Sequence, residues 1–210
     1  KLVELNPEQR ERAMRLLQEK LAEPDIQEFL RSTPQETLAK DWLLVLRVDT
    51  LSDNTRLTMQ ALQERLAPDM QAQGQGKLLL EVDDYKDEPL YTTDTVKNSM
   101  HWQLVSRQVV PDTKGIKHPD QTPILQSAAR AAHFDPSKIR RRTPMETLYD
   151  AVTVFRSTGK HILENEYDWS DTQTSAGKFV HVGSAGAEGA DVYGSDPGHS
   201  GGSHGASLSR

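Results

Sequence analysis

The 210-residue sequence contains no cysteine, which excludes disulfide bonds and cysteine-based zinc sites. No apolar run approaches the roughly 20 residues that a membrane-spanning helix needs, and Lys1–Leu5 lacks a signal-peptide layout. Positive charge is scarce, since 25 Lys and Arg stand against 31 Asp and Glu, a formal net charge of −6. We therefore expect neither membrane insertion nor a nucleic-acid partner, because phosphate-binding surfaces need concentrated positive charge. The sequence assigns no cellular location and no oligomeric state.

The basic cluster of the sequence is Lys138–Arg142, which reads Lys-Ile-Arg-Arg-Arg. Such a run suits either a phosphate site or a solvated turn. Because a helix is predicted to follow directly, we interpret the cluster as a solvated turn.

The first third of the chain, residues 1–70, has the apolar spacing of amphipathic helices. Asn6-Pro7 supplies an N-cap and a first-turn proline, and Thr33–Glu36 has the form of a capping box. The helix that begins at this box is predicted to carry four apolar side chains inward: Leu38, Trp42, Val45 and Leu46. A further helix is predicted from Asn54 to Leu66, ended by Pro68.

A low-complexity stretch, Gln71–Gly76, is the predicted boundary between two regions. Residues 1–70 form a helical N-terminal region in this interpretation, and residues 77–210 form the second domain. That domain opens with Lys77–Val82, a short apolar run of the buried-strand kind. The acidic stretch from Asp83 to Asp94 is predicted to be a loop.

The middle of the second domain shows strand and then helix signals. His101–Val110 predicts a strand that Pro111 ends. Two helices are predicted next, one from Thr122-Pro123 and one from the capping box Thr143–Glu146. The second has apolar residues spaced along one face and a glycine suited to its end: Leu148, Ala151, Val152, Phe155 and Gly159.

The last segment, Tyr167–Arg210, differs in composition from the rest of the chain. It holds nine of the 13 glycines and only two of the 25 Lys and Arg residues. Apolar residues alternate with polar ones in Phe179–Val182, Asp191–Tyr193 and Ser207–Ser209, which is the period of a strand. The whole order predicts an α+β fold: a strand, two helices, then short antiparallel strands that display side chains on one face.

That order, with Trp169-Ser170 opening the strands and Gly205–Arg210 closing them as Gly-Ala-Ser-Leu-Ser-Arg, resembles the C-type lectin fold. More narrowly, it resembles the variable proteins of diversity-generating retroelements, over roughly residues 98–210. In that family a reverse transcriptase copies a template with errors at adenines and replaces the 3′ end of the target gene. The resemblance implies a C-type lectin-like binding domain without enzymatic activity, whose variable region lies at about 167–210.

The resemblance divides the tail into scaffold positions and variable, ligand-facing positions. The scaffold would comprise Trp169, Val180, Val182, Gly189, Val192 and Leu208. The ligand-facing positions would be drawn from Asp171, His181, Ser184, Ala185, Asp191, Tyr193, Ser195, Asp196, His199, Ser200, Ser203 and His204. Tyr193 is the predicted principal contact, because tyrosine gives amphipathic contact area at low entropy cost. The partner would be a protein or glycan that the sequence does not identify, and no cofactor is expected.

One compositional feature of the tail bears on the resemblance. Adenine mutagenesis of asparagine codons gives codons ending in a pyrimidine, which cannot encode Lys, Glu, Gln, Met or Trp. Among the 27 residues from His181 to Ser207, Glu188 alone belongs to that excluded set. A Gly- and Ser-rich loop region would show the same depletion, so both explanations stay open.

Two other functions stay open: a lectin-fold domain of fixed carbohydrate or protein specificity, and a metal-dependent hydrolase that uses the His- and Asp-rich tail. His181, Asp196, His199 and His204 are ligand types that suit zinc or nickel, but their spacing matches no fixed geometry. No calcium-ligand triplet is present, and no serine occurs in Gly-x-Ser-x-Gly. We therefore predict no metal site and no catalytic residue. We interpret one further group of carboxylates as a solvated loop: Glu81, Asp83, Asp84, Asp87 and Glu88.

Overall fold

The protein, described from a computed structural model, has a mixed α and β architecture of helices and two small sheets. The predicted order of a strand, two helices and short antiparallel strands is confirmed in the C-terminal half up to residue 195. The predicted strand at Ser207–Ser209 is wrong, because that segment forms only isolated bridges at Ser209. Among the helices described, none is both long enough and apolar enough to cross a membrane. The structure describes residues 4–51, 53–81, 85–96 and 98–210. For residues 80 and 81 it describes the backbone and not the side chains.

The N-terminal region begins with three helices: α1 (Pro7–Ala22), α2 (Pro24–Ser32) and α3 (Gln35–Asp41). The predicted cap of α1 is confirmed, because the Asn6 side chain accepts a hydrogen bond from the Gln9 backbone N–H at 2.8 Å. In return, the Gln9 side chain accepts one from the Asn6 backbone N–H. The predicted box at Thr33 is wrong, since Pro34 occupies the N-cap of α3 and makes no side-chain cap.

The prediction that the third helix continues through Leu46 is wrong. The helix ends at Asp41, and the chain continues as strand β1 (Trp42–Arg47), which pairs antiparallel with β3 (His101–Ser106). A short apolar run is compatible with a buried strand as well as with a buried helix face. Here the run forms a strand because it pairs with the distant β3. Residues 1–70 are therefore not wholly helical, and they share a sheet with β3, which lies in the predicted second domain.

The next helix, α4 (Met59–Ala72), begins later than predicted and continues past Pro68. Its N-cap is Thr58, whose hydroxyl oxygen accepts from the backbone N–H of Ala61 at 3.1 Å. Leu66 and Met70 are both buried and anchor the helix on either side of the proline.

The larger sheet has the strand order β2-β6-β5-β4-β7. Its central strands, β4 (Tyr167–Gln173), β5 (Phe179–Gly186) and β6 (Gly189–Ser195), are antiparallel. The edge strands β2 (Leu79–Glu81) and β7 (His204–Gly205) run parallel to their neighbours. The predicted strand near Lys77 is thus confirmed.

Three helices complete the fold: α5 (Pro89–Thr93), α6 (Gln121–Ala131) and α7 (Pro144–Thr158). α5 lies in the acidic stretch, so the expectation of a plain loop is wrong over its five residues. β3 ends four residues earlier than predicted, at Ser106, whose hydroxyl donates to the Gln108 carbonyl.

Helix α7 supports the larger sheet and has both predicted ends. Thr143 and Glu146 form the reciprocal capping box, and Gly159 adopts the left-handed conformation at φ 71°. Leu148 packs in one buried cluster with Val180 and Val182 of β5, which face the helix. The opposite face of the sheet is thereby directed away from α7.

A buried ionic network ties α7 to both sheets, so the prediction of a solvated turn at Lys138–Arg142 is wrong. Arg142 is 1% exposed, and its guanidinium contacts Asp168 at 2.8 Å and Asp150 at 3.2 Å. Arg47 of β1 pairs with the same Asp150. Burial alone would raise the pKa of Glu146, but hydrogen bonds from Arg140 and the charges of Arg47 and Arg140 lower it to about 2.

The C-terminal residues 205–210 run beside β3 and are buried throughout. The Leu104 N–H donates to the Arg210 carbonyl at 2.9 Å, and the Ser106 N–H donates to the Leu208 carbonyl at 3.0 Å. The Arg210 side chain pairs with Asp25 at the start of α2. The closing segment, with the predicted scaffold position Leu208, is therefore packed into the fold.

Candidate functional site

The face of the larger sheet that points away from α7 is called the outer face. Strand register places three ring side chains side by side on it, since Trp169 of β4 is the partner of His181 of β5, which is the partner of Tyr193 of β6. Tyr167 lies two residues before Trp169 and shares this face. The face is thus rich in aromatic and imidazole rings.

A crossing segment, Asp196–Ser203, leads from β6 over the outer face to β7. The His204 ring that follows it stacks on Tyr167, with centroids 4.7 Å apart and planes at 10°. The ring centroids of His199 and His204 are 4.8 Å apart, and both histidines lie within 6.4 Å of Trp169. This cover leaves Trp169 with no exposed surface.

Gly201 allows His199 and His204 to approach its backbone. A Cβ at this position would lie 2.5 Å from Nδ1 of His204 and 2.8 Å from Nε2 of His199. Any side chain at 201 would therefore push the rings apart.

Buried nitrogen atoms give the outer face unused hydrogen-bonding capacity. His181 contacts the Ser195 hydroxyl through Nε2 at 2.9 Å. Its Nδ1 and the Nε1 of Trp169 are buried and have no hydrogen-bond partner in the part of the chain that the structure describes. Such groups are costly unless something else pairs with them.

The rings of His181 and His204 favour the neutral form. Burial, together with the charge that His204 and His199 would carry, lowers the pKa of His181 to about 3. Burial and His199 lower the pKa of His204 to about 4. These two rings are consequently uncharged at neutral pH.

The structure sorts the predicted ligand-facing positions by exposure. Four are exposed at the surface: Asp171, Asp196, His199 and Ser200. Five are half-buried: Ser184, Tyr193, Ser195, Ser203 and His204. Three are buried: His181, Ala185 and Asp191. The predicted scaffold positions are all buried: Trp169, Val180, Val182, Gly189, Val192 and Leu208.

The expected outward exposure of three positions is therefore wrong, for different physical reasons. Ala185 packs in the apolar core cluster with Val182. His181 lies on the outer face but beneath its ring neighbours and is 2% exposed. Asp191 is 6% exposed, and its carboxylate accepts a hydrogen bond from the Tyr167 hydroxyl at 2.8 Å.

Asp171 is exposed but has a structural partner. Its carboxylate lies 3.1 Å from the guanidinium of Arg141 and 3.3 Å from the His118 ring. Arg141 is only 6% exposed, so removing the carboxylate would leave a buried cation with less compensation. Asp196 contacts no cation among the described residues.

Asp171→Ala is expected to lower the free energy of unfolding by about 1 kcal/mol, because the partner carboxylate is solvent-screened while Arg141 is buried. The matched variant Asp196→Ala is expected to stay within about 0.5 kcal/mol of the parent. Urea unfolding followed by circular dichroism measures both. Equal effects of the two substitutions would show that Asp171 is as unconstrained as Asp196.

Two residues of the site were missed by the sequence-based prediction. Tyr167 was detectable, because it alternates in register with Trp169. His118 comes from a separate turn, stacks on Phe179 with centroids 3.9 Å apart, and closes one end of the outer face. No local pattern links His118 to the strands, since the contact is formed only by the fold.

The residues considered for a metal site are not brought together as ligands of one ion in the described ranges. No group of three or more His, Asp or Glu side chains there is placed to hold a metal ion. Within the acidic cluster, Glu88 accepts hydrogen bonds from the backbone and hydroxyl of Ser175, both at 2.8 Å. The Glu81 side chain, Asp83 and Asp84 lie outside the described residues.

Comparisons with protein-family models, with curated proteins and with solved structures each returned no match to this chain.

Proposed function

We propose that this chain is a receptor-type ligand-binding protein with a C-type lectin-like domain, and that its outer face is the binding surface. The observation that carries the proposal is the ring cluster on β4–β6, partly exposed above a sheet whose other face is packed against α7. A binding face of this kind needs a rigid support, because loops held by a scaffold tolerate substitution better than core positions do.

The composition of the outer face supports binding rather than chemistry. Tyr193 and the histidines offer amphipathic ring surface, while Ser195 and Ser203 offer adaptable hydrogen bonds. A protein or glycan surface has both properties that this face would recognise, apolar patches and polar groups.

We further propose that retroelement-directed adenine mutagenesis diversifies this face. The depletion of Lys, Glu, Gln, Met and Trp between His181 and Ser207 supports the proposal. The exposed and half-buried positions concentrate in the crossing segment and its neighbours, where substitution costs little packing. The buried valines of the same strands would stay constant.

Deep sequencing of the 3′ end of this gene across a natural population, with its flanking DNA, tests the diversification. We expect substitutions at adenine-template sites in codons such as those of Tyr193, His199 and Ser200, beside a near-repeat and a reverse-transcriptase gene. Val180, Val182 and Val192 serve as internal controls and should not vary. An invariant 3′ end without a repeat would overturn the diversification and favour a lectin-fold domain of fixed specificity.

A further inference from the structure

A concave site lies on another part of the molecule, where the end of α3, the end of β3 and the segment after α7 meet. It encloses a space of about 700 Å³, within the range of small-molecule sites. The buried side chains of Ile162 and Leu163 belong both to its lining and to the apolar core. We call this site the basic groove.

Cationic side chains line the basic groove from separate elements. Lys40 comes from α3, Arg107 follows β3, Lys114 follows a short turn, and Lys160 follows α7. Against these four cations stand two carboxylates, so the lining carries a formal charge of +2 on a chain whose net charge is −6. Such local positive charge attracts anions.

One of the two carboxylates, that of Glu166, already has partners within the protein. Glu166 pairs with the Lys114 ammonium and accepts a hydrogen bond from the Val109 N–H at 3.0 Å. Lys40, Arg107 and Lys160 form no ion pair with any carboxylate in the described ranges. Three cations without an ion pair therefore face one opening, and Glu164 of the lining offsets one of their charges.

Arg107 is the anchor of the groove. Its backbone N–H donates to the Asp41 carbonyl at 2.8 Å, which fixes the residue beside α3. The side chain is half-buried, and its Nε is fully buried without a hydrogen-bond partner among the described residues. A guanidinium presents parallel N–H donors that match the paired oxygens of phosphate or carboxylate.

We propose that the basic groove binds a small polyanion that bears at least two phosphate or carboxylate groups. Arg107 holds one oxyanion through its planar donors, and Lys40 and Lys160 at the rim hold a second. The apolar floor contacts the carbon skeleton or ring that joins them. This site is separate from the outer face and does not depend on its proposed function.

Isothermal titration calorimetry of the full chain with pyrophosphate and with citrate, at low ionic strength, tests the proposal. We expect saturable binding of at least one probe, weakened by added salt because the interaction is charge-driven. Tighter binding of pyrophosphate would identify a phosphate-bearing ligand, and tighter binding of citrate a polycarboxylate.

Arg107→Gln is expected to weaken that binding about tenfold or more, as loss of a charge-assisted hydrogen bond does. The exposed Arg130→Gln, on α6, is the charge-matched control and should not change the affinity. Lys40→Gln combined with Lys160→Gln alters only exposed rim side chains, so it provides the test should Arg107→Gln impair folding. Tyr193→Ala on the outer face should leave the affinity unchanged.

Absence of saturable binding of both probes to the wild-type chain would overturn the proposal. So would equal affinities of the wild-type chain and the rim double variant. Neither result would bear on the outer face, because its residues lie outside the groove.

Discussion

Asp168→Ala is expected to lower the free energy of unfolding by about 3 kcal/mol. Asp168 is 2% exposed and accepts hydrogen bonds from Arg142, Thr147 and both the N–H and hydroxyl of Ser207. Removing one partner of a buried ion pair costs about 3–5 kcal/mol, since the other charge stays buried. The lower end applies here because Arg142 keeps its contact with Asp150.

The effect should also be local, because Ser207 belongs to the closing segment. Urea unfolding gives the total loss, and amide hydrogen exchange at Ser207 reports release of the segment. Asp168→Asn keeps an acceptor for the Ser207 N–H but removes the charge, so an intermediate loss is expected. The exposed Asp112→Ala is the control and should change stability by no more than about 0.5 kcal/mol. A loss below about 1 kcal/mol for Asp168→Ala would contradict the assigned role of the network.

Lowering the pH from 7 to 5 is expected to destabilise the protein through the outer-face histidines. A histidine in the unfolded chain binds a proton below about pH 6.5, whereas the pKa of His181 in the fold is about 3. The unfolded state therefore gains protons first, and the free energy of unfolding falls as the pH drops below 6.5. His181 alone contributes about 2 kcal/mol of this loss by pH 5, and His204 adds less because it is more exposed.

The window from pH 7 to 5 separates this effect from that of the carboxylates. The lowered pKa of Glu146 stabilises the fold above about 4.5, and that stabilisation is lost only as the pH falls from there towards 2. The groups that face His181 are His204, His199, Tyr193, Tyr167 and, through Tyr167, Asp191.

His181→Asn should flatten the pH dependence of the urea midpoint between pH 7 and 5, whatever its effect on absolute stability. His133→Asn is a matched control, because His133 is exposed and its φ of 60° suits asparagine. Identical slopes for wild type and His181→Asn would show that His181 is not the residue that responds.

Much of the fold could be predicted from local signals in the sequence. The capping box at Thr143, the apolar spacing of α7 and Gly159 agree with one another, so that helix was predictable from a few neighbouring residues. The alternation in β5 likewise placed Val180 and Val182 on one face. Each of these features depends on interactions within one element.

The failures depend on contacts between distant parts of the chain. Nothing within Trp42–Arg47 distinguishes a buried strand from a buried helix. The segment forms a strand because it pairs with β3. The alternation of β5 placed His181 on the outer face but could not show that the crossing segment would bury it. Arg141 and His118 likewise reach Asp171 only through the packing of the folded chain.

The path of the crossing segment also limits how many residues it can lose. Its ends, Ser195 and His204, lie three strand positions apart across the sheet and about four residues apart along β5. These offsets give a straight distance of about 19 Å, at about 4.8 Å between strands and about 3.3 Å per residue. The nine intervening Cα–Cα steps reach about 30 Å when extended. Deleting three residues would pull the segment taut and lift His199 from Trp169, whereas inserted residues only lengthen the connection. Length is thus a second way to alter this surface, and foreign peptides grafted there should preferably be longer than the segment they replace.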